Sequence, residues 1–174
     1  DSPWTNAEEW LDYVKENPGE LHVGSNGPTS APDLTMSLLN REAGIEVVMI
    51  PYTGGGPQAT ALLAGEIDGA LITAAAGNSE EFRKLSVVAP NRSYSFPDVP
   101  SINEITGLDV AFENLVAIIG PNGLSEEIVE VIHNAFKNAL DDESVQEKLL
   151  NAGIDPDYRT TDELKSIFEN DWDN

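Results

Sequence analysis

Two short glycine-rich turns constrain this chain more than any other feature. Gly24-Ser25-Asn26-Gly27-Pro28-Thr29-Ser30 and Tyr52-Thr53-Gly54-Gly55-Gly56-Pro57 lie one βα unit apart, each after an apolar stretch and each opening a predicted helix. A turn of this kind leaves backbone N–H groups unpaired and aims them, with the positive end of the helix dipole, at whatever occupies the crevice above a sheet. The repeat therefore reads as a mouth for a small anion.

Charge narrows what that anion can belong to. Among 174 residues, 31 Asp and Glu face 9 Lys and Arg, a net charge of −22 spread along the whole chain. A nucleic-acid backbone needs a basic surface to displace its counterions, so nucleic acid is excluded as a partner, and docking on anionic lipid is disfavoured for the same reason. A dispersed acidic surface suits a protein of a halophile, because at about 1 M salt the Debye length is roughly 3 Å and self-repulsion is screened. An acidic mesophilic domain is the alternative. With no cysteine, the sequence has neither disulfides nor thiolate metal sites. Apolar runs such as Leu115 to Ile119 have strand length, and nothing reads as a signal peptide or a membrane span. The opening Asp1-Ser2-Pro3-Trp4-Thr5 is a helix preamble that reads as the start of an excised piece.

Along the chain, Thr5 or Asn6 caps a predicted helix through Asn17, and Leu21 to Val23 makes a strand entering the first turn. Ser30 caps a helix over 31–42 whose stripe of Leu34, Leu38 and Leu39 packs inward until Gly44 stops it. Ile45 to Ile50, rich in β-branched residues, predicts a buried strand, and a helix over 57–64 follows the second turn. Ile67 to Ile72 and Leu85 to Ala89 predict third and fourth strands, and Val110 to Ile119 one long or bent strand. After the proline-marked connection 90–100 and a short helix over 101–105, three helices are expected over 125–140, 144–152 and 161–171. Alternating strands and helices with short loops imply an α/β parallel sheet followed by a helical extension.

A collinear series of motifs resembles one family: Gly24-Ser25-x-Gly27, Pro51-Tyr52-x-Gly54-Gly55, Leu63-x-Gly65-x-Ile67-Asp68, Arg92, Pro97-Asp98-Val99-Pro100-Ser101, Gly120-Pro121-x-Gly123, Asn134-Ala135 and Leu149-x-x-Ala152-Gly153-Ile154. The series is similar to the solute-binding receptors of tripartite tricarboxylate transporters, also called the Bug family. The resemblance implies an α/β, type II periplasmic-binding-protein-like fold, with one complete lobe plus the C-terminal part of the other. Residues 1–112 would be lobe two, the ligand-binding α/β domain, and 113–174 the crossover strand and C-terminal helical part of lobe one. It also implies closure about a hinge near 109–115, an extracytoplasmic location at the cell surface or in the periplasm, and membrane anchoring through an N-terminal segment absent here. The partners it implies are a small carboxylate ligand and membrane permease subunits. A lobe one lacking its first half would leave apolar surface exposed, so self-association of the fragment is expected.

The chain departs from the family pattern in places. A second glycine and a histidine in the first loop are replaced by Thr29 and Asp33, an aromatic at the crossover by Leu115, and an acid-amide pair after the third strand by Ile72 and Thr73. The candidate ligand-binding residues are Ser25, Asn26, Gly27, Thr29, Ser30, Tyr52, Thr53, Gly54, Gly55 and Thr73. Ser30 either donates its hydroxyl to a ligand or only caps its helix, and Tyr52 either lays its ring on the ligand or sits in the core. Asp33 suits the helix dipole but competes with an anion if it points inward.

Catalytic readings find little support. His133 lies off the apolar stripe of its helix and reads as exposed, and His22 has no acid or nucleophile beside it in sequence. No G-x-S-x-G elbow, His-Glu-x-x-His pair, P-loop or G-x-G-x-x-G occurs, and Asp141-Asp142-Glu143 lacks the spacing of a calcium loop. Asp68 reads as a solvated strand end, and Asn91-Arg92-Ser93 as surface loop. The expectation is a binding protein that is not an enzyme and has no cofactor or metal. An effector-sensing domain of a cytoplasmic regulator is the alternative, and a transferase or hydrolase using the turns for phosphate a third.

Overall fold

In a computed structural model, residues 2–77, 79–110 and 116–173 are described. They form two compact units, Asp1–Ala117 and Ile118–Asn174.

The first unit begins with α1 (Ala7–Glu16), which Asn6 caps by accepting from the Glu9 N–H at 2.9 Å. The Glu9 carboxylate in turn accepts from the backbone and hydroxyl of Thr5, so the helix start is closed from both sides. Three short parallel strands follow: β1 (His22–Ser25), β2 (Val48–Pro51) and β3 (Gly69–Ala70), in the order β2-β1-β3. His22 to Ser25 pair with Val48 to Pro51, and Val23 and Gly24 with Gly69 and Ala70. Between them run α2 (Ala31–Ala43), capped by Ser30 and ended by Gly44 at φ 64°, and α3 (Gly55–Ala64), ended by Gly65 at φ 71°. These ends need a left-handed residue, and glycine adopts that conformation without a Cβ clash.

The core lies on one face of the sheet, where Val23 of β1 meets Leu11 and Val14 of α1, Met36 and Leu39 of α2, and Leu21, Ile45, Val47, Ile102 and Val110. Because strand side chains alternate, Gly24 faces the other way, toward α3. A Cβ on Gly24 would stand 2.9 Å from Ile67 Cδ1 and 3.2 Å from Gln58 Cγ, so only glycine lets α3 come this close.

Several predicted strands are shorter or absent. Ile67 is buried but outside β3, which is bracketed by the bonds Asp68 N to His22 O and Leu71 N to Gly24 O. Leu85 to Ala89 is not a strand. Only Val87 pairs, through one parallel bridge to Ser101 at the start of α5 (Ile102–Thr106). Residues 116–119 carry no strand either, although Val116, Ile118 and Ile119 are β-branched, since ladder formation needs a neighbouring strand and none among the described residues pairs with them. Of the hinge expected near 109–115, residues 111–115, Leu115 among them, lie outside the described residues. A short helix α4 (Ala74–Gly77), not expected from the residue pattern, follows β3.

The second unit is helical: α6 (Glu126–Leu140), α7 (Glu143–Asn151) and α8 (Thr161–Asp173). Ser125 caps α6 and Asp142 caps α7, each accepting a first-turn N–H. The Asp142 carboxyl is held below its ordinary range by the hydroxyl and backbone N–H of Ser144. Gln146 Nε2 donates to Leu140 O at 2.8 Å and ties the turn between α6 and α7.

Candidate ligand site

All three strands run the same way, so the turns after them emerge at one edge of the sheet. Residues 26–30, 52–54 and 71–73 stand there side by side, fixed by the pairings Ser25 with Pro51 and Gly24 with Ala70. The order β2-β1-β3 means that the chain leaves β1 to one side and returns to the other. In open α/β sheets, the ends of the strands where the order reverses border a crevice, here between β1 and β3.

The first turn is largely satisfied from within. Ser25 is fully buried, and its hydroxyl donates to Asp33 Oδ1 at 2.9 Å while accepting from the Gly27 N–H at 3.2 Å. Ser30 accepts from the Asp33 N–H at 3.4 Å and so caps α2. The half-buried Asp33 carboxylate thus points back into its own turn. Thr29 is exposed at φ 75°, a left-handed conformation that a β-branched residue adopts at a cost.

The second turn is open. Tyr52, half-buried, donates its N–H to Ser25 O at 2.9 Å and clips the two turns together. Gly54 at φ 148° precedes α3 without a side-chain cap, and no acid lies in the first turn of the helix. The first N–H groups of a helix have no intrahelical acceptor, so at α3 they are offered outward. Gly55 packs close, a Cβ there meeting Ala76 Cβ at 3.1 Å, whereas a Cβ on Gly56 would meet nothing within 4 Å. Thr73 is exposed just beyond β3 and ahead of α4.

Sequence reasoning missed Gln58. Its amide on α3 is fully buried and reaches the Gly24 and Leu71 carbonyls and the Asn26 side chain, joining α3, the end of β1 and the end of β3. A lone glutamine after Gly55-Gly56-Pro57 resembles a surface residue. Its signal was indirect, in the need for a glycine at position 24 opposite it.

His22, His133 and Asp68 have structural partners, as do the cations Lys137 and Arg92. Asp68 Oδ2 accepts from the His22 N–H at 2.9 Å and lies 3.7 Å from His22 Nδ1, both side chains exposed at a strand end. His133 is half-buried rather than exposed, its Nε2 2.6 Å from the Tyr158 hydroxyl and the two rings edge-on. Lys137 bonds Asp141 at 2.6 Å, and its ammonium is held above its ordinary range by that carboxylate. Arg92 grips Glu104 through two nitrogens at 2.8 and 2.9 Å and donates to Pro97 O, bracing the proline-rich connection. An open depression of about 430 Å³ in the second unit is lined by Glu126, Glu130, Asp162 and His133 among others, and its carboxylates would repel an anion.

Residues 1–173 match the family described as tripartite tricarboxylate transporter family receptor. The chain belongs to that family. A Cupriavidus necator relative, the UPF0065 protein in the gbd 5' region, is 34% identical over 161 residues, which is 91% of this chain and 49% of the relative. The chain thus spans about half the length of that curated relative. A solute-binding protein from Polaromonas superposes at a TM-score of 0.78 with 24% identity, and R. palustris Rpa4515 with adipate at 0.77 with 22%. Each alignment covers 98% of this chain and 60% of the other. At such identity the likeness shows the fold, an α/β parallel-sheet arrangement matching part of a periplasmic binding protein. The receptor family is one of solute-binding proteins, and among the described residues no helix is long and apolar enough to cross a membrane.

Proposed function

We propose that this chain carries the ligand-binding lobe of an extracytoplasmic receptor that captures a small carboxylate and delivers it to membrane permease subunits. The observation that carries the reading is the uncapped, acid-free start of α3 beside the first turn, at the reversal of strand order, in a chain of the receptor family. Residues 1–112 act as that lobe and 113–174 as part of the opposing one, with an anchor upstream holding the receptor at the membrane. Thr53, Gly54 and Gly55 present backbone donors to one carboxylate, with Asn26, Thr29, Ser30, Tyr52 and Thr73 at the rim. Ser25 and Gly27 shape the turn from inside, because their polar groups already bond each other and Asp33. Backbone donors suit a protein with few lysines, since they bring positive potential without a cationic side chain. That adipate accompanies the R. palustris neighbour supports a carboxylate ligand.

The test is calorimetry of the full-length protein with dicarboxylates, tricarboxylates, amino acids and aromatic acids, repeated on Gly56→Asp. Position 56 has open space, and an acid in the first helical turn stabilises the helix while competing for its N–H groups. The expected outcome is unchanged or raised melting temperature with about tenfold weaker carboxylate binding, a loss of ~1.4 kcal/mol. Equal affinity in the variant sinks the site assignment, and no binding by any acid sinks the receptor reading.

A further inference from the structure

The two amides at the junction of β1, α3 and β3 are not free to turn. A glutamine amide can be placed two ways that differ only by exchange of oxygen and nitrogen, and its neighbours decide between them. One end of the Gln58 amide lies 2.9 Å from Gly24 O and 3.1 Å from Leu71 O, two atoms that only accept. Nitrogen must stand there, donating to both. The Gln58 oxygen then faces the Asn26 side chain at 2.8 Å, and only the Asn26 NH₂ can answer it. A fully buried amide with an unmet oxygen would carry its whole desolvation cost, so the chain of donors is set from the interior outward.

We infer that Gln58, through Asn26, makes this site select carboxylates that carry a hydroxyl or ammonium group beside the carboxylate. The inference rests on the carboxylate-receptor reading above. With its NH₂ committed inward, Asn26 turns its Oδ1 out from an exposed side chain that has no other partner among the described residues. The rim of the crevice therefore pairs backbone donors at α3, suited to a carboxylate, with one fixed acceptor at position 26. A plain alkanoate leaves that acceptor without a donor and brings its own negative charge near it. A ligand bearing a hydroxyl or ammonium satisfies it. Gln58 touches no ligand in this arrangement and acts as a positioning residue.

Matched series of acids test this in the full-length protein by calorimetry: succinate, malate and aspartate, then propanoate, lactate and alanine. The hydroxy or amino member of a series is expected to bind about fivefold tighter than the plain member, the size of one net hydrogen bond. Asn26→Ala, which also lowers the melting temperature by leaving the buried Gln58 oxygen unmet, should bring the ratio to within about twofold, and Gln58→Leu should bring it there too by releasing Asn26. A plain acid binding as tightly as its substituted partners overturns the inference and leaves the receptor reading standing, no binding in either series overturns the inference, and the receptor reading falls with it only when the wider panel of acids also fails to bind. Since Gln58→Leu can also unsettle the fold, NMR of the ligand-free protein supplies a second readout. Slow exchange of the Gln58 side-chain NH₂ and its contact with Leu71 support the orientation, and fast exchange overturns it.

Discussion

Helices α1 and α6 carry the same kind of apolar stripe yet meet opposite fates. In α1, Leu11 and Val14 enter the core with Val23, Leu39 and Ile102. In α6, Phe136 is 52% exposed and Val131 65%, and no described residue of the second unit is buried. Both helices are capped by a side chain that accepts a first-turn N–H, Asn6 in one and Ser125 in the other. Periodicity and caps therefore specify a helix and its sticky face, while burial depends on a second layer being present to receive that face. The first unit supplies such a layer in its sheet. The second does not.

The comparison breaks most visibly under large-to-small substitution. Leu39→Ala, at a fully buried position, should cost about 2–5 kcal/mol in denaturant unfolding, whereas Ile132→Ala on α6 should stay below about 1 kcal/mol. Similar losses at both sites would show that α6 is covered in solution. A smaller effect concerns association. The exposed stripe should bind an apolar dye and drive concentration-dependent sedimentation, and Phe136→Glu should reduce both several-fold without lowering helix content. A monomer that ignores the dye would contradict it.

The smallest effect lies in the first unit's surface. The Glu104 carboxyl is held below its ordinary range first by its hydrogen bond with Arg92, then by the Ser101 backbone and hydroxyl. A depressed carboxyl pKa contributes stability that is present above the unfolded pKa and fades as pH falls through the lower, folded value. Glu104→Gln should therefore slightly lower the melting temperature at neutral pH, with the difference from the parent vanishing in acid. Both partners are solvent-exposed, so the shift is expected to be small and to shrink further in salt. A difference that persists unchanged in acid would remove the ion pair as its cause.

Much of the first unit was legible because its rules are local. Ser30 and Gly44 bound α2, and the β-branched run 45–50 marked Val47 as buried. The two glycine turns announced their helices from sequence alone. The fourth strand failed because Leu85 to Ala89 looks extended by composition, while strand formation requires a partner that composition does not reveal. His133 was misread for a related reason. Its partner Tyr158 comes from a loop 25 residues away, so the helix face that appeared to be solvent was not.

At the site, local residue patterns alone specify two Gly-rich turns that open two helices, in a chain with few cationic side chains. Which turn remains open depends on contacts made only in the fold. Ser25 and Asp33 close the first around themselves, eight residues apart in the chain, while Gly54 leaves the second uncapped. Sheet order β2-β1-β3 brought Gln58 against Gly24, Asn26 and Leu71, and fixed the orientation of both amides. The physical reason is one of range. Caps and turns depend on neighbours within a few residues, whereas Gln58 meets Asn26 across 32 residues, through a strand pairing that no local pattern encodes.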